Sequence, residues 1–313
     1  MIIGSAPSLL VGSGISFAQN QIPPPMPAQW PGASFSQEQL NDPLVANALE
    51  YVQSVVPAAL LAIPQSTAAS PSYEVPRYNA DAGANCYWPT TACSTPNSLP
   101  ADIISCPGAN DWGLTYDDGP SRDGSGNDTP GLLTALGKAN AKATFFMVGA
   151  RANQFPDVVE SVKNNGHQVG SHSWTHTRMT LLTNAQIVAE IKYTEAIIYK
   201  AAGVVPRFFR PPYGDIDNRV RAILNALGYT VVLWTTDPNP QRNSFDTSGD
   251  VPRTVRTVQS WFVAQPGFIS LQHDVNANTC SAAIQILESI PSVPNFPLNI
   301  KPVGSCAGGA WYQ

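Results

Sequence analysis

Beyond residue 110, short apolar runs alternate with longer segments whose apolar residues recur at helical spacing. The runs predict strands at Trp112–Tyr116, Ala143–Val148, Gln168–Ser171, Phe208–Arg210, Tyr229–Trp234 and Phe268–Gln272. The periodic segments predict helices over Thr129–Ala139, Pro156–Asn164, Asn184–Ala202, Asn218–Leu227, Thr254–Val263 and Thr279–Ile290. Gly166, Gly203 and Gly228 stand where such helices should stop. Strand–helix alternation of this kind argues an α/β fold with a parallel sheet, open or closed into a barrel. Functional groups in such folds gather at the C-terminal ends of the strands.

Before residue 110 the pattern is different. One helical period, Pro43 to Ile63, carries Leu44, Ala48, Leu49, Val52, Val55 and Val56 on one face. Pro-rich stretches such as Pro23-Pro24-Pro25 surround it and read as an extended arm that packs against the domain C-terminal to it. The expected organisation is a signal-like segment (1–18), the arm (19–110), the α/β domain (111–303) and a short tail (304–313).

Composition narrows the function classes. Of 313 residues only 12% are charged, the net charge is -5, and no basic run exists to neutralise phosphates, which argues against nucleic acid as a partner. Residues 1–18 are apolar and small and end Ser16-Phe17-Ala18, resembling a secretory signal, although no Lys or Arg precedes the apolar part. An apolar strand is the competing reading. No other stretch is apolar enough for a membrane span, and Trp311-Tyr312-Gln313 is no lipid-anchor tail, so a secreted, soluble monomer is expected. Of the five cysteines, Cys86 and Cys93 bracket a short loop, while Cys106 and Cys306 flank the domain and would tie its ends together. Cys280 is left over. Asn127-Asp128-Thr129 is a glycosylation sequon if the chain is secreted.

Candidate chemistry falls on the strand ends. Thr115-Tyr116-Asp117-Asp118-Gly119-Pro120 closes the first strand with two carboxylates and a turn. By itself this reads first as a solvated Asp-rich turn. Ser171-His172-Ser173-Trp174-Thr175-His176 sets two imidazoles four residues apart, on one face if the chain turns helically there. Two His and one Asp leave a coordination position open for water, so Asp118, His172 and His176 form a candidate metal triad. A neighbouring Asp117 can then take a proton. Arg210, before Pro211-Pro212-Tyr213-Gly214, can hold Asp117 ionised, or be a surface arginine. His273, in Leu271-Gln272-His273-Asp274, can protonate a leaving group, whereas His167 precedes its strand and reads as structural.

Four of these stretches, in order, resemble the motifs of the polysaccharide deacetylases of carbohydrate esterase family 4, and particularly the secreted fungal chitin deacetylases. They are TYDDGP, HSWTH, RPPYG and LQHD, spread between about Asp111 and Val303. The resemblance implies a distorted (β/α) barrel and hydrolysis of N-acetyl groups on chitin or a related N-acetylglucosamine polymer in the cell wall. It implies Asp117 as base, Asp118, His172 and His176 as ligands of a divalent ion (zinc, or cobalt), and Arg210 as the group holding the base. It further implies the Tyr213 N–H as an oxyanion donor, Leu271 as lining of an acetyl pocket and His273 as acid, and beside the second motif Trp174 offers a flat face to a sugar ring or packs against the sheet. The fourth motif departs: after Trp234 and Asp237, Pro240 and Gln241 replace the expected Asp-Trp, which leaves Asp246 as a substitute partner for His273. That departure leaves open a deacetylase of another glycan, or a catalytically weak cell-wall-binding protein.

Overall fold

The computed structural model describes residues 23–70, 74–235 and 250–313. The signal-like segment and the fourth-motif residues Asp237, Pro240, Gln241 and Asp246 lie outside them.

The arm contributes α1 (Gln37–Leu40), α2 (Pro43–Val55), α3 (Ala58–Leu61) and α4 (Trp88–Thr91). The single helix expected from Pro43 to Ile63 is therefore two. Pro57 cannot donate to the ladder, and Val56 before it is extended (ψ 131°), as a residue preceding proline prefers. Apolar residues of α2 (Leu44, Val45, Val52) are buried in the main core.

The domain then runs β1 (Asp111–Gly113), β2 (Thr115–Asp117), α5 (Thr129–Lys138), β3 (Thr144–Met147), α6 (Gly149–Gln154), α7 (Pro156–Asn164), β4 (Gln168–Ser171), α8 (Asn184–Ala202), β5 (Phe208–Phe209), α9 (Asn218–Ala226) and β6 (Thr230–Val231). It ends with α10 (Val251–Gln259), β7 (Phe268–Ile269), β8 (Gln272–His273), α11 (Ala277–Ser289), β9 (Asn299–Lys301) and α12 (Val303–Ala307). The longest helix, α8, is framed by the sequence itself. Thr183 and Gln186 form a reciprocal capping box, and Gly203 stops the helix in the left-handed conformation (φ 69°).

All strand pairs are parallel, in the order β6-β5-β4-β3-β2-β8, with β7-β1-β9 beside them. β1 and β2 are one run of chain that changes partner at Leu114, whose N–H donates to Lys301 of β9 (3.1 Å) and whose carbonyl accepts from Thr144 of β3 (2.9 Å). The ring closes irregularly between β6 and β7. There the arm residue Ile103 bonds Val231 and Leu233 (both 2.9 Å), and the Thr235 N–H donates to Ile269 (3.1 Å). The result is a distorted (β/α) barrel.

Helices pack outside the barrel in the main core, while Phe146, Phe208, Val232, Ile269 and Val303 form a second cluster with Cys106 and Cys306. Cys106 and Cys306 are bridged, as are Cys86 and Cys93, and Cys280 is buried and free. Register aligns the functional strand ends: Asp117 lies opposite His273 on one neighbour and Phe146 on the other, and Ser171 lies opposite Phe209.

Candidate active site

β2 ends at Asp117, and the next residue, Asp118, has a left-handed backbone (φ 71°). Adjacent side chains of an extended strand point to opposite faces. The sharp turn removes that constraint, and both carboxylates line one cleft of about 900 Å³. His172, His176, Tyr213, Leu271 and His273 line the same cleft. Each of these residues is a candidate from the sequence alone.

Asp117 is buried against Arg210, whose Nη1 donates to Asp117 Oδ1 (2.9 Å) and to Thr115 Oγ1 (2.6 Å). Nη2 of Arg210 donates to the Leu233 carbonyl (2.8 Å), and the guanidinium lies 4.4 Å from the centre of the Phe146 ring. A guanidinium with no exposed surface thus anchors Asp117 through Oδ1. Arg210 is no surface arginine.

His172 follows β4 directly. Its Nδ1 is 2.7 Å from the Arg210 carbonyl, which can only accept, so the ring proton sits on Nδ1 and Nε2 presents a lone pair. That lone pair meets Asp118 Oδ1 at 3.1 Å, and His176 Nε2 lies 2.9 Å from the same oxygen. Two acceptors at this separation repel unless a cation or proton lies between them. Burial works against charge on Asp118, yet with a proton on each Nε2 the hydrogen bonds and charge of the two imidazoles more than offset it and hold the carboxyl far below its ordinary range. One ligand atom from each of the three residues falls within 4.8 Å of the others. This N₂O donor set, with its shared unsatisfied lone pairs, fits a divalent cation of the zinc type.

The two histidines do not share a helix, contrary to the simplest reading of their spacing. Residues 172–178 form a loop in which Ser173 and His176 are both left-handed (φ 64° and 61°). Glu190 of α8, fully buried, holds that loop by accepting from the Trp174 and Thr175 N–H groups (2.6 and 2.8 Å). The Ser173 hydroxyl accepts from the His176 N–H (3.1 Å). Glu190 escaped sequence reasoning because nothing local marks it; it sits on a helix among apolar neighbours.

Trp174 does not line the cleft. Its ring is fully buried, stacks on Trp30 of the arm (centroids 5.7 Å apart) and donates from Nε1 to the Gly32 carbonyl (3.1 Å). The turn that brings His176 inward directs Trp174 outward beneath the arm, so the sugar-facing expectation is corrected. Instead, Trp234, Arg178 and the arm residues Val75 and Trp88–Ala92 complete the cleft. Arg178 follows His176 by two residues, and its guanidinium lies 4.2 Å from the centre of the half-exposed Tyr213 ring.

Comparison with known proteins bears on the same residues. A family model described as polysaccharide deacetylase matches residues 105–232. A solved structure of T48 deacetylase with substrate is 30% identical, with a TM-score of 0.52, over 66% of this chain and 94% of that one. The chain belongs to the polysaccharide deacetylase family. Another polysaccharide deacetylase, the chitin deacetylase of Colletotrichum lindemuthianum, is 26% identical with a TM-score of 0.57, covering 69% of this chain and 96% of that one. Chitin deacetylase 1 of Cryptococcus neoformans var. grubii is 35% identical over 261 residues, 75% of this chain and 53% of that protein. The chain spans about half the length of the curated relatives it matches. The two solved structures share this chain's barrel, while the family model leaves the arm before residue 105 unmatched.

Proposed function

We propose that this chain hydrolyses N-acetyl groups on chitin or a related N-acetylglucosamine polymer, releasing acetate and leaving free amines. The observation that carries the reading is a buried, Arg210-clamped Asp117 beside the Asp118–His172–His176 cluster, with His273 on the adjacent strand. Asp118, His172 and His176 would hold the cation, zinc by donor type. When bound, such an ion acidifies water and draws charge from a carbonyl oxygen.

The chain's own groups supply the rest. Asp117 accepts a proton as water adds to the amide carbon, and Arg210 keeps Asp117 aimed. The Tyr213 N–H donates to the carbonyl oxygen as that oxygen gains negative charge. His273 delivers a proton to the nitrogen, the C–N bond breaks, and acetate and an amine depart. Leu271, buried at the cleft floor, gives the acetyl methyl an apolar contact. Two disulfides suit an oxidising compartment, in keeping with secretion to the cell wall.

The deciding assay is acetate release from chitin oligomers with and without chelator. Chelation should abolish release and added zinc restore it. Asp117→Asn keeps the shape but loses the proton acceptor, and should slow release by about a thousandfold. Release at the wild-type rate from that variant would overturn the mechanism.

A further inference from the structure

One wall of the cleft does not come from the barrel. Residues Trp88–Ala92 belong to the arm, ahead of the stretch matched by the family model, yet they stand in the same cleft as Asp117 and His273. They form a single turn, α4, inside the loop closed by the Cys86–Cys93 disulfide. The stem of this loop is anchored at several independent points. Arg221 of α9, fully buried, donates to the carbonyls of both cysteines, Cys86 (2.7 Å) and Cys93 (3.0 Å). Its remaining donors bind Asp102, another arm residue, in a buried ion pair (2.7 Å). Tyr87 donates from its hydroxyl to Asp215 (3.0 Å), and the Trp88 N–H donates to the Ile216 carbonyl (3.1 Å).

The Trp88 ring meets Trp234 edge-on at 6.2 Å and lies so close to Gly214 that a Cβ there would come within 2.8 Å of Trp88 Cδ1. The turn carrying Tyr213 is therefore shaped around the arm. Above this buried stem, Thr90, Thr91 and Ala92 are exposed at the rim. Loops held this firmly yet left open at the tip are the kind that present binding groups from a rigid base. A cleft of about 900 Å³ lies near the top of the range of roughly 300–1,000 Å³ found for drug-sized ligands, and exceeds what one sugar ring fills.

We propose that the disulfide-closed loop 86–93 is a binding subsite for a sugar unit adjoining the one that loses its acetyl group, and that it sets the enzyme's preference for longer chains. The inference rests on the deacetylase reading above. Arg221 acts here as a positioning residue; the exposed rim at Thr90 and Thr91 makes the contact.

The test compares chitotetraose with chitobiose on the full chain, by calorimetric affinity and by kcat/KM for acetate release. Thr90→Arg places a long side chain in the subsite from an exposed position and leaves the stem intact. It is expected to reduce the tetramer-to-dimer preference by about tenfold, with the loss in tetramer affinity and KM. Cys86→Ser with Cys93→Ser loosens the loop without adding bulk and is expected to weaken tetramer binding in the same direction. A preference that stays within about twofold of wild type in both variants overturns the subsite, as does a wild-type chain that binds the tetramer no tighter than the dimer. Absence of acetate release from every oligomer would instead overturn the deacetylase reading, and the affinity ratio would still decide the role of the loop.

Discussion

Asp118, His176 and Tyr213 are three of the residues around the cleft, and each adopts a left-handed backbone, with φ of 71°, 61° and 61°. Side chains other than glycine pay about 1–3 kcal/mol for such a conformation, and such residues persist only where neighbours hold them. For His176 the holder is Glu190, whose carboxylate closes the loop from below. Glu190→Ala removes the oxygen that accepts from both N–H groups without touching any candidate ligand atom. It should weaken zinc binding by about 10–100-fold, read by competitive titration with a chelating dye, while added zinc at high concentration restores the bound state. At this scale the sequence was legible where chemistry is written in residue type: carboxylates, imidazoles and Arg210 at strand ends. It was not legible where a side chain serves two purposes. Trp174 is amphipathic enough for a sugar or for a core, and only the direction of the turn decides. Glu190 looks like any helix carboxylate until the loop it supports is seen.

Elements with strong local signals match their expected limits. β4, α7 and α8 do so at both ends, because Thr183, Gly166 and Gly203 mark boundaries that no tertiary contact overrides. β9 and α12 went unseen, since Asn299–Lys301 is three residues long and pairs with a strand far away in sequence. The joint between α7 and β4 carries a further consequence. His167 there is almost fully buried, its Nδ1 accepts from the Ala143 N–H (3.2 Å), and burial, with the charge of Lys142, pushes its pKa down to about 4. Protonation would break that bond, so the folded state resists a proton that the unfolded chain accepts near pH 6.5. Stability should therefore fall as pH drops from about 6.5 to 4, by about 3 kcal/mol from this group. Denaturant titrations of His167→Gln across that range should show a shallower decline, and an identical decline would remove His167 as the cause.

Across the whole molecule, the alternation of strands and helices was enough to foresee a parallel barrel. It could not show how the barrel closes. Closure depends on Ile103 entering beside β6 and on a bridge between cysteines 200 residues apart. Such contacts leave no periodic trace in sequence, and the same is true of the arm's place in the cleft. Loop entropy makes the two disulfides unequal. Closing about 200 residues restricts the unfolded chain by about 5 kcal/mol, against about 2–3 kcal/mol for the loop closed by Cys86 and Cys93. Cys106→Ser with Cys306→Ser should accordingly lower the unfolding midpoint more than the Cys86/Cys93 pair of substitutions, as measured by calorimetry. The long bridge also changes what a cut means. Covalently, residues 106–306 are a ring carrying two tails. A protease that opens an exposed turn, such as Arg122–Gly126, would produce one molecule with a nick rather than two fragments, and the severed ends would still be held around the same Asp118–His172–His176 cluster.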